Sequence, residues 1–185
     1  MSDRHPAGSG SLRTGLVVIA SELEQRLLPF RTRHLPDAVR RRLPAHVTVL
    51  FPFAPAAELD ERLLGEAREH FAARPSFGAR VERTATFPEH VWLVPEPRQA
   101  FLDLLGTTHR RFPAYPPYGR ALTDPEPHLT LGEVTAGHTL EELQEAASAE
   151  LAADLPLTFR VGAVTLIVER EDGIWERREV FPLAE

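Results

Sequence analysis

The sequence has no cysteine, no lysine and no asparagine, and only one methionine among 185 residues. Without cysteine there is no disulfide, no thiolate nucleophile and no cysteine-based zinc site, and redox chemistry does not fix a compartment. No apolar run approaches the ~18 residues of a membrane span. Leu16 to Ala20 is apolar but too short for a secretory signal, and it lacks a basic start and a cleavage site. The expectation is a soluble, cytoplasmic protein with no membrane partner. With lysine absent, all 21 basic side chains are arginine, set against 27 acidic ones for a net charge of −6. That balance argues against binding along long nucleic acid, where affinity comes from many phosphate contacts. It leaves room for a pocket that takes one or two phosphates, for which a few side chains suffice. Neither a Gly-rich phosphate loop nor a dinucleotide fingerprint is present.

What is present is ordinary globular material: 43% hydrophobic and 26% charged residues. A chain of this length buries enough surface to fold without a metal or a cross-link. Met1 to Arg13, rich in Pro, Gly and Ser, reads as a flexible leader, and residues 14–185 as a single domain. Thr14 to Ala20 is a predicted strand. Ser21, with Glu24 three residues on, reads as a helix N-cap, and Pro29 is expected to end that helix near Leu28, leaving Arg31 to Pro44 irregular. His46 to Phe51 reads as a strand and Glu58 to Ala73 as an amphipathic helix. Ser76 to Phe87 and Val91 to Val94 read as a hairpin, and Pro97 to Phe112 as a helix. Ala114 to Pro127 reads as a long loop and His128 to Val134 as a strand. Thr139 to Ala153 reads as a helix with a Thr139–Glu142 capping box. Leu157 to Glu169 and Ile174 to Phe181 are strands around an Asp172-Gly173 turn. The order looks doubled and predicts an α+β fold of two similar lobes with mixed or antiparallel sheets.

Two segments share one pattern: His46-Val47-Thr48-Val49 and His128-Leu129-Thr130-Leu131. A strand has period two, so His and Thr point to one face and the apolar pair to the other. An imidazole and a hydroxyl are thus set side by side, twice. Two histidines flanking a phosphodiester can serve as general base and general acid, since the imidazole pKa lies near neutrality. Each threonine hydroxyl can donate to a non-bridging oxygen as charge builds there. Such a site calls for no metal and no cofactor, and its pH limbs are expected on either side of neutrality.

These paired motifs, 82 residues apart (128 − 46), resemble those of the two-histidine phosphoesterases, the superfamily of 2′-5′ RNA ligase-like proteins and RNA 2′,3′-cyclic phosphodiesterases. The resemblance extends from Thr14 to about Pro182. It implies a bilobal fold with mostly antiparallel sheets around a central cleft, with His46 and Thr48 on one wall and His128 and Thr130 on the other. It implies that His46 donates a proton and His128 accepts one. It also implies a substrate that is a small nucleotide or RNA end carrying a cyclic phosphate or a 2′,5′ linkage, hydrolysed without a metal. A ligase running the reverse reaction and a non-catalytic nucleotide-binding module are the alternatives. Phe51-Pro52-Phe53 and Gly132-Glu133, after the two motifs, depart from the bacterial RNA cyclic phosphodiesterase pattern.

Other residues are candidates by position. Arg120, in the loop before the second motif, fits a phosphate contact. Tyr115 and Tyr118 in the same loop could stack on a base or pin the loop to the core. The run Arg40-Arg41-Arg42 could draw in an anion, although charge runs are usually solvated. Phe51, Phe53 and Trp92 read as packing residues. His5, His34, His70, His90, His109 and His138 show no ligand spacing. A monomer is expected.

Overall fold

The computed structural model describes residues 12–120, 126–135 and 137–185, without the side chain of Arg120. The elements run β1 (Thr14–Ile19), α1 (Ser21–His34), α2 (Pro36–Arg40), β2 (His46–Leu50), α3 (Glu61–Ala72), β3 (Phe77–Phe87), β4 (His90–Glu96), α4 (Arg98–Arg111), β5 (Leu129–Glu133), α5 (Leu140–Leu151), β6 (Leu157–Val161), β7 (Ala163–Glu169) and β8 (Trp175–Pro182). The strands form two four-stranded sheets, ordered β2-β1-β7-β8 and β5-β4-β3-β6. Every neighbouring pair is antiparallel. This is the expected α+β architecture of two sheets. Of the expected leader, residues 1–11 lie outside the described residues, while Arg13 is already tied by its guanidinium to Glu169.

The lobes are not successive halves of the chain. The first sheet takes β1 and β2 from one end and β7 and β8 from the other, and the second sheet takes the middle. The cause lies in residues 157–169, which read as one strand and are two. Buried Phe159 and Val161 give way to buried Val164 and Leu166, so the apolar alternation slips by one residue at Gly162. A one-residue slip turns the strand over. β6 accordingly pairs with β3, and β7 with β1.

α1 also outruns its expected end. Its buried face continues past Pro29 through Phe30 and Arg31. Pro29 itself is exposed, so the Gln25 carbonyl that it leaves unpaired faces water, where a missing helix bond costs least. Ala20, not Ser21, takes the N-cap position. Pro36 then opens α2, making most of the expected irregular stretch helical. The capping box at Thr139 forms as expected, with Glu142 N–H donating to Thr139 Oγ1 and Thr139 N–H to Glu142 Oε2.

Helices join the lobes. α1 packs on β5 and β6, and α4 packs on β2 as well as β4. One apolar cluster therefore runs from Leu16, Phe30 and Val47 to Leu93, Phe101 and Leu129. β2 and β5 are edge strands of their sheets and lie against one another. The two motif strands thus meet where the lobes meet.

His70, on α3, is buried and donates from Nε2 to Thr108 Oγ1 on α4 at 3.1 Å, as the Thr108 hydroxyl is committed to Leu104 O. Burial pushes its pKa down to about 4, with Arg74 and Arg111 adding to the effect. A histidine depressed on folding stabilises fully above its unfolded pKa near 6.5 and loses that contribution as pH falls toward 4. Urea unfolding between pH 7 and 4 should show the wild type losing about 3 kcal/mol more than His70→Gln, which keeps a donor but cannot charge. Parallel curves for the two proteins would show that His70 does not titrate with unfolding.

Candidate active site

Both motif strands alternate as the sequence predicts. On β2, Val47 and Val49 are buried while His46 and Thr48 are half-buried on the opposite face. On β5, Leu129 and Leu131 are buried while Thr130, with His128 just before the strand, is half-buried. The neighbours across each ladder continue these faces. His46 lies opposite Ile19, Thr48 opposite Val17, and Thr130 opposite Trp92.

The two imidazoles are held in the same way. His46 Nδ1 lies 2.8 Å from Pro44 O, and His128 Nδ1 lies 2.7 Å from Glu126 O. In both, the acceptor is the carbonyl two residues upstream. A carbonyl only accepts, so each Nδ1 carries the proton and each Nε2 is left as the working atom. Neutral, Nε2 is a base; protonated, it is an acid. Neither Nε2 makes a hydrogen bond among the described residues, nor does the Thr48 or Thr130 hydroxyl.

Burial pushes His46 down to about 4; the Pro44 carbonyl opposes this, and the positive charges of Arg31 and His128 reinforce it. Burial also lowers His128, against the Glu126 carbonyl and carboxylate, with His90 adding to the lowering. Both imidazoles are therefore neutral at pH 7 in the free protein, and they are near enough to feel each other's charge. An anion bound beside the rings would oppose this depression.

A small cavity lies between β2, α4 and the segment before β5, bounded by Thr48, Phe51, His109, Tyr118, Glu126 and His128, while His46 and Thr130 do not line it. His109 reaches it from α4 and donates from Nε2 to Val49 O at 2.9 Å, satisfying an edge carbonyl of β2. No spacing in the sequence distinguishes His109. Only the packing of α4 on β2 brings it here. Phe51 sits close over Gly15, where a Cβ would lie 3.1 Å from the ring, and its ring approaches Tyr118 and Trp175. Phe87 and Trp92 stack at 4.9 Å and meet the His128 ring edge-on. Aromatic rings thus flank the polar and titratable side chains of the site.

The remaining candidates separate. Tyr118 lines the cavity, and its backbone N–H bonds to Phe51 O. Tyr115 packs against Phe53, and its hydroxyl donates to Glu58 at 3.2 Å, pinning the loop. Phe53 is in the core. The Arg120 side chain lies outside the described residues. In the arginine run, Arg40 pairs with Asp37, and Arg41 with Glu169 and the Gly173 carbonyl. Among the described residues, no three His, Asp or Glu side chains cluster as a metal shell would, and no helix is long and apolar enough to cross a membrane.

Comparison with solved structures finds this fold elsewhere. E. coli LigT complexed with 3′-AMP aligns at a TM-score of 0.65 and 14% identity, over 95% of this chain and 100% of that one. A structure described as a phosphoesterase aligns at 0.63 and 14%, over 95% and 100%. TT0787 of Thermus thermophilus aligns at 0.60 and 18%, over 92% and 97%. LigT has also been solved with ATP and with NADP+. No curated protein matches the sequence. Residues 19–173 match the 2′-5′ RNA ligase superfamily, a span that holds both His-x-Thr motifs and the strands that carry them. The chain belongs to the 2′-5′ RNA ligase superfamily of two-histidine phosphoesterases.

Proposed function

We propose that the protein is a metal-independent phosphodiesterase that opens a cyclic phosphate on a nucleotide or RNA end, giving the 2′-phosphomonoester from a 2′,3′-cyclic one. The observation that carries this reading is the matched pair of walls. On each of two facing edge strands, a half-buried imidazole has Nδ1 fixed by a carbonyl, Nε2 left over for chemistry and a threonine hydroxyl beside it. LigT, of the same fold, holds 3′-AMP, ATP and NADP+, which fits a cleft for a small phosphorylated nucleoside.

The step balances with these groups alone. Water oxygen bonds to phosphorus as neutral His128 Nε2 takes its proton. The P–O3′ bond breaks, and protonated His46 Nε2 gives its proton to the departing O3′. Thr48 and Thr130 donate to the non-bridging oxygens, where charge rises in the transition state. A module that only bound the phosphate would need a donor on each side but no second proton-transfer group, so two complete pairs favour catalysis. A 2′-5′ ligase would run the same proton transfers backwards.

The test is a panel of 2′,3′- and 3′,5′-cyclic nucleotides, cyclic-ended RNA and 2′,5′-linked dinucleotides, with products separated chromatographically. Turnover of the 2′,3′-cyclic substrates to 2′-phosphates, at the same rate in EDTA, is the expected result. Loss of turnover in chelator, restored by zinc or magnesium, would move the chemistry to other residues.

A further inference from the structure

Arg31 is the largest side chain buried almost completely, at 2% exposure. It reaches back about two turns of α1 to Glu24, with Nη1 at 3.1 Å from Glu24 Oε1, and sends Nη2 to Leu43 O at 2.8 Å. The other Glu24 oxygen accepts the Ala45 N–H at 2.6 Å. Pro44 lies between these two anchored residues, and Pro44 O receives the His46 Nδ1–H. The main chain on both sides of that carbonyl is therefore gripped by one ion pair, and α1 gains a second hold through Ala20 N–H to Ala45 O at 2.9 Å.

Stability alone does not account for this pair. Burying a guanidinium carries a desolvation cost that its ion pair need not repay. Here Arg31 Nε is also buried without a partner among the described residues, a desolvation left uncompensated. Burial lowers the Arg31 pKa, against the raising effect of the Glu24 charge. The second lobe repeats the device at its surface. Glu126, whose carbonyl holds His128, has its carboxylate gripped by Arg98 at 2.7 and 2.5 Å.

We propose that Glu24 and Arg31 are positioning residues, an ion pair with a buried guanidinium and a partly exposed carboxylate that fixes the Leu43–Pro44–Ala45 segment and through it the His46 imidazole. The catalytic part of this role rests on the function proposed above; the hold on His46 does not. Neither side chain touches the phosphate, and both act through main-chain atoms. The charges acting on His46 are Arg31 from α1 and His128 from just before β5, with Glu24 acting through Arg31. The two members of the pair should therefore shift His46 in opposite directions. Removing the guanidinium relieves His46 of a neighbouring cation. Removing the carboxylate leaves that cation uncompensated.

The experiment follows the His46 and His128 ring protons by NMR through a pH titration, each assigned by its own histidine variant, with no substrate present. In Arg31→Met, His46 should titrate at higher pH by roughly half a unit or more. In Glu24→Gln it should titrate at lower pH. His128 should stay where it is in both. With a 2′,3′-cyclic substrate, both variants should lose about 10–100-fold in kcat, with KM within about threefold of wild type, as expected for a displaced proton donor. If Arg31→Met does not fold, Glu24→Gln, whose side chain is 35% exposed, decides alone. An unmoved His46 in folded protein overturns the proposal, as does a shift of His128 equal to that of His46, which marks general loosening. If the wild type turns over nothing in the panel, the functional reading fails, and the substrate-free titration still decides whether this pair governs His46.

Discussion

Replacing either His46 or His128 with Ala should lower turnover of a 2′,3′-cyclic nucleotide by about 10²–10⁴-fold, the usual weight of a positioned acid or base. Structural damage is a poor explanation for a loss of that size. Both rings are half-buried at the cleft, and each makes its one ring-nitrogen hydrogen bond to an upstream carbonyl. Deleting either should leave the sheets, and hence circular dichroism and melting temperature, close to wild type. The double variant should be little worse than the slower single one, because groups that act in one proton circuit do not add. The two singles should differ in one respect. A substrate with a better leaving group needs no donor, so it should restore His46→Ala toward wild type and leave His128→Ala slow. Full activity in His128→Ala would remove that residue from the reaction, and rescue of His128→Ala in place of His46→Ala would exchange the two roles.

The candidate site is legible in the sequence because its signal is local and periodic. Val47 and Val49, or Leu129 and Leu131, need only a period of two to be sent inward, and that sends His and Thr outward. The two His-x-Thr segments then declare themselves by repetition. What the sequence hides is everything that depends on which strand lies beside which. The slip at Gly162 is visible as an odd-to-even change in apolar parity from Phe159 and Val161 to Val164 and Leu166. Read as one strand, the segment conceals that change, and the interleaving of the lobes goes with it. Pro29 marks a helix end by a rule about lost hydrogen bonds, which has little force where the freed carbonyl faces water. Arg31 is hidden by the same rule, which leaves it in an irregular basic stretch. Its burial follows from α1 continuing and turning that position inward. His109 carries no spacing signal, since it comes to β2 from a helix 60 residues beyond Val49.

The structure also moves the expected pH optimum, and the shift is large enough to measure. In the proposed mechanism the productive form of the pair carries one proton, on the donor, with the acceptor neutral. In unperturbed histidines the limbs would straddle neutrality. Here burial holds His46 down at about 4 and lowers His128 below its ordinary value as well, so above about pH 6.5, the ordinary histidine pKa, both rings of the free enzyme are mostly unprotonated. Since kcat/KM reports the free enzyme, its optimum should fall on the acid side of neutrality. Above the upper limb it should decline tenfold per pH unit, roughly 10³-fold from pH 6 to 9. The sign follows from what is being titrated: raising pH removes the one proton that the donor must carry. Saturating substrate changes the balance. An anionic phosphate bound beside the rings, as proposed, would favour the charged imidazole, so the kcat profile should be displaced to higher pH than that of kcat/KM. The limbs belong to the pair, because each ring feels the other's charge. Removing Arg31's cation should move the kcat/KM optimum upward in step with the His46 titration, which links the profile to the ion pair behind the ring. Rates measured from about pH 4.5 to 9, with a substrate that dissociates faster than it reacts, check all of this. A kcat/KM that is flat across that range, or that rises toward its alkaline end, would mean that no proton on these histidines is needed for the reaction.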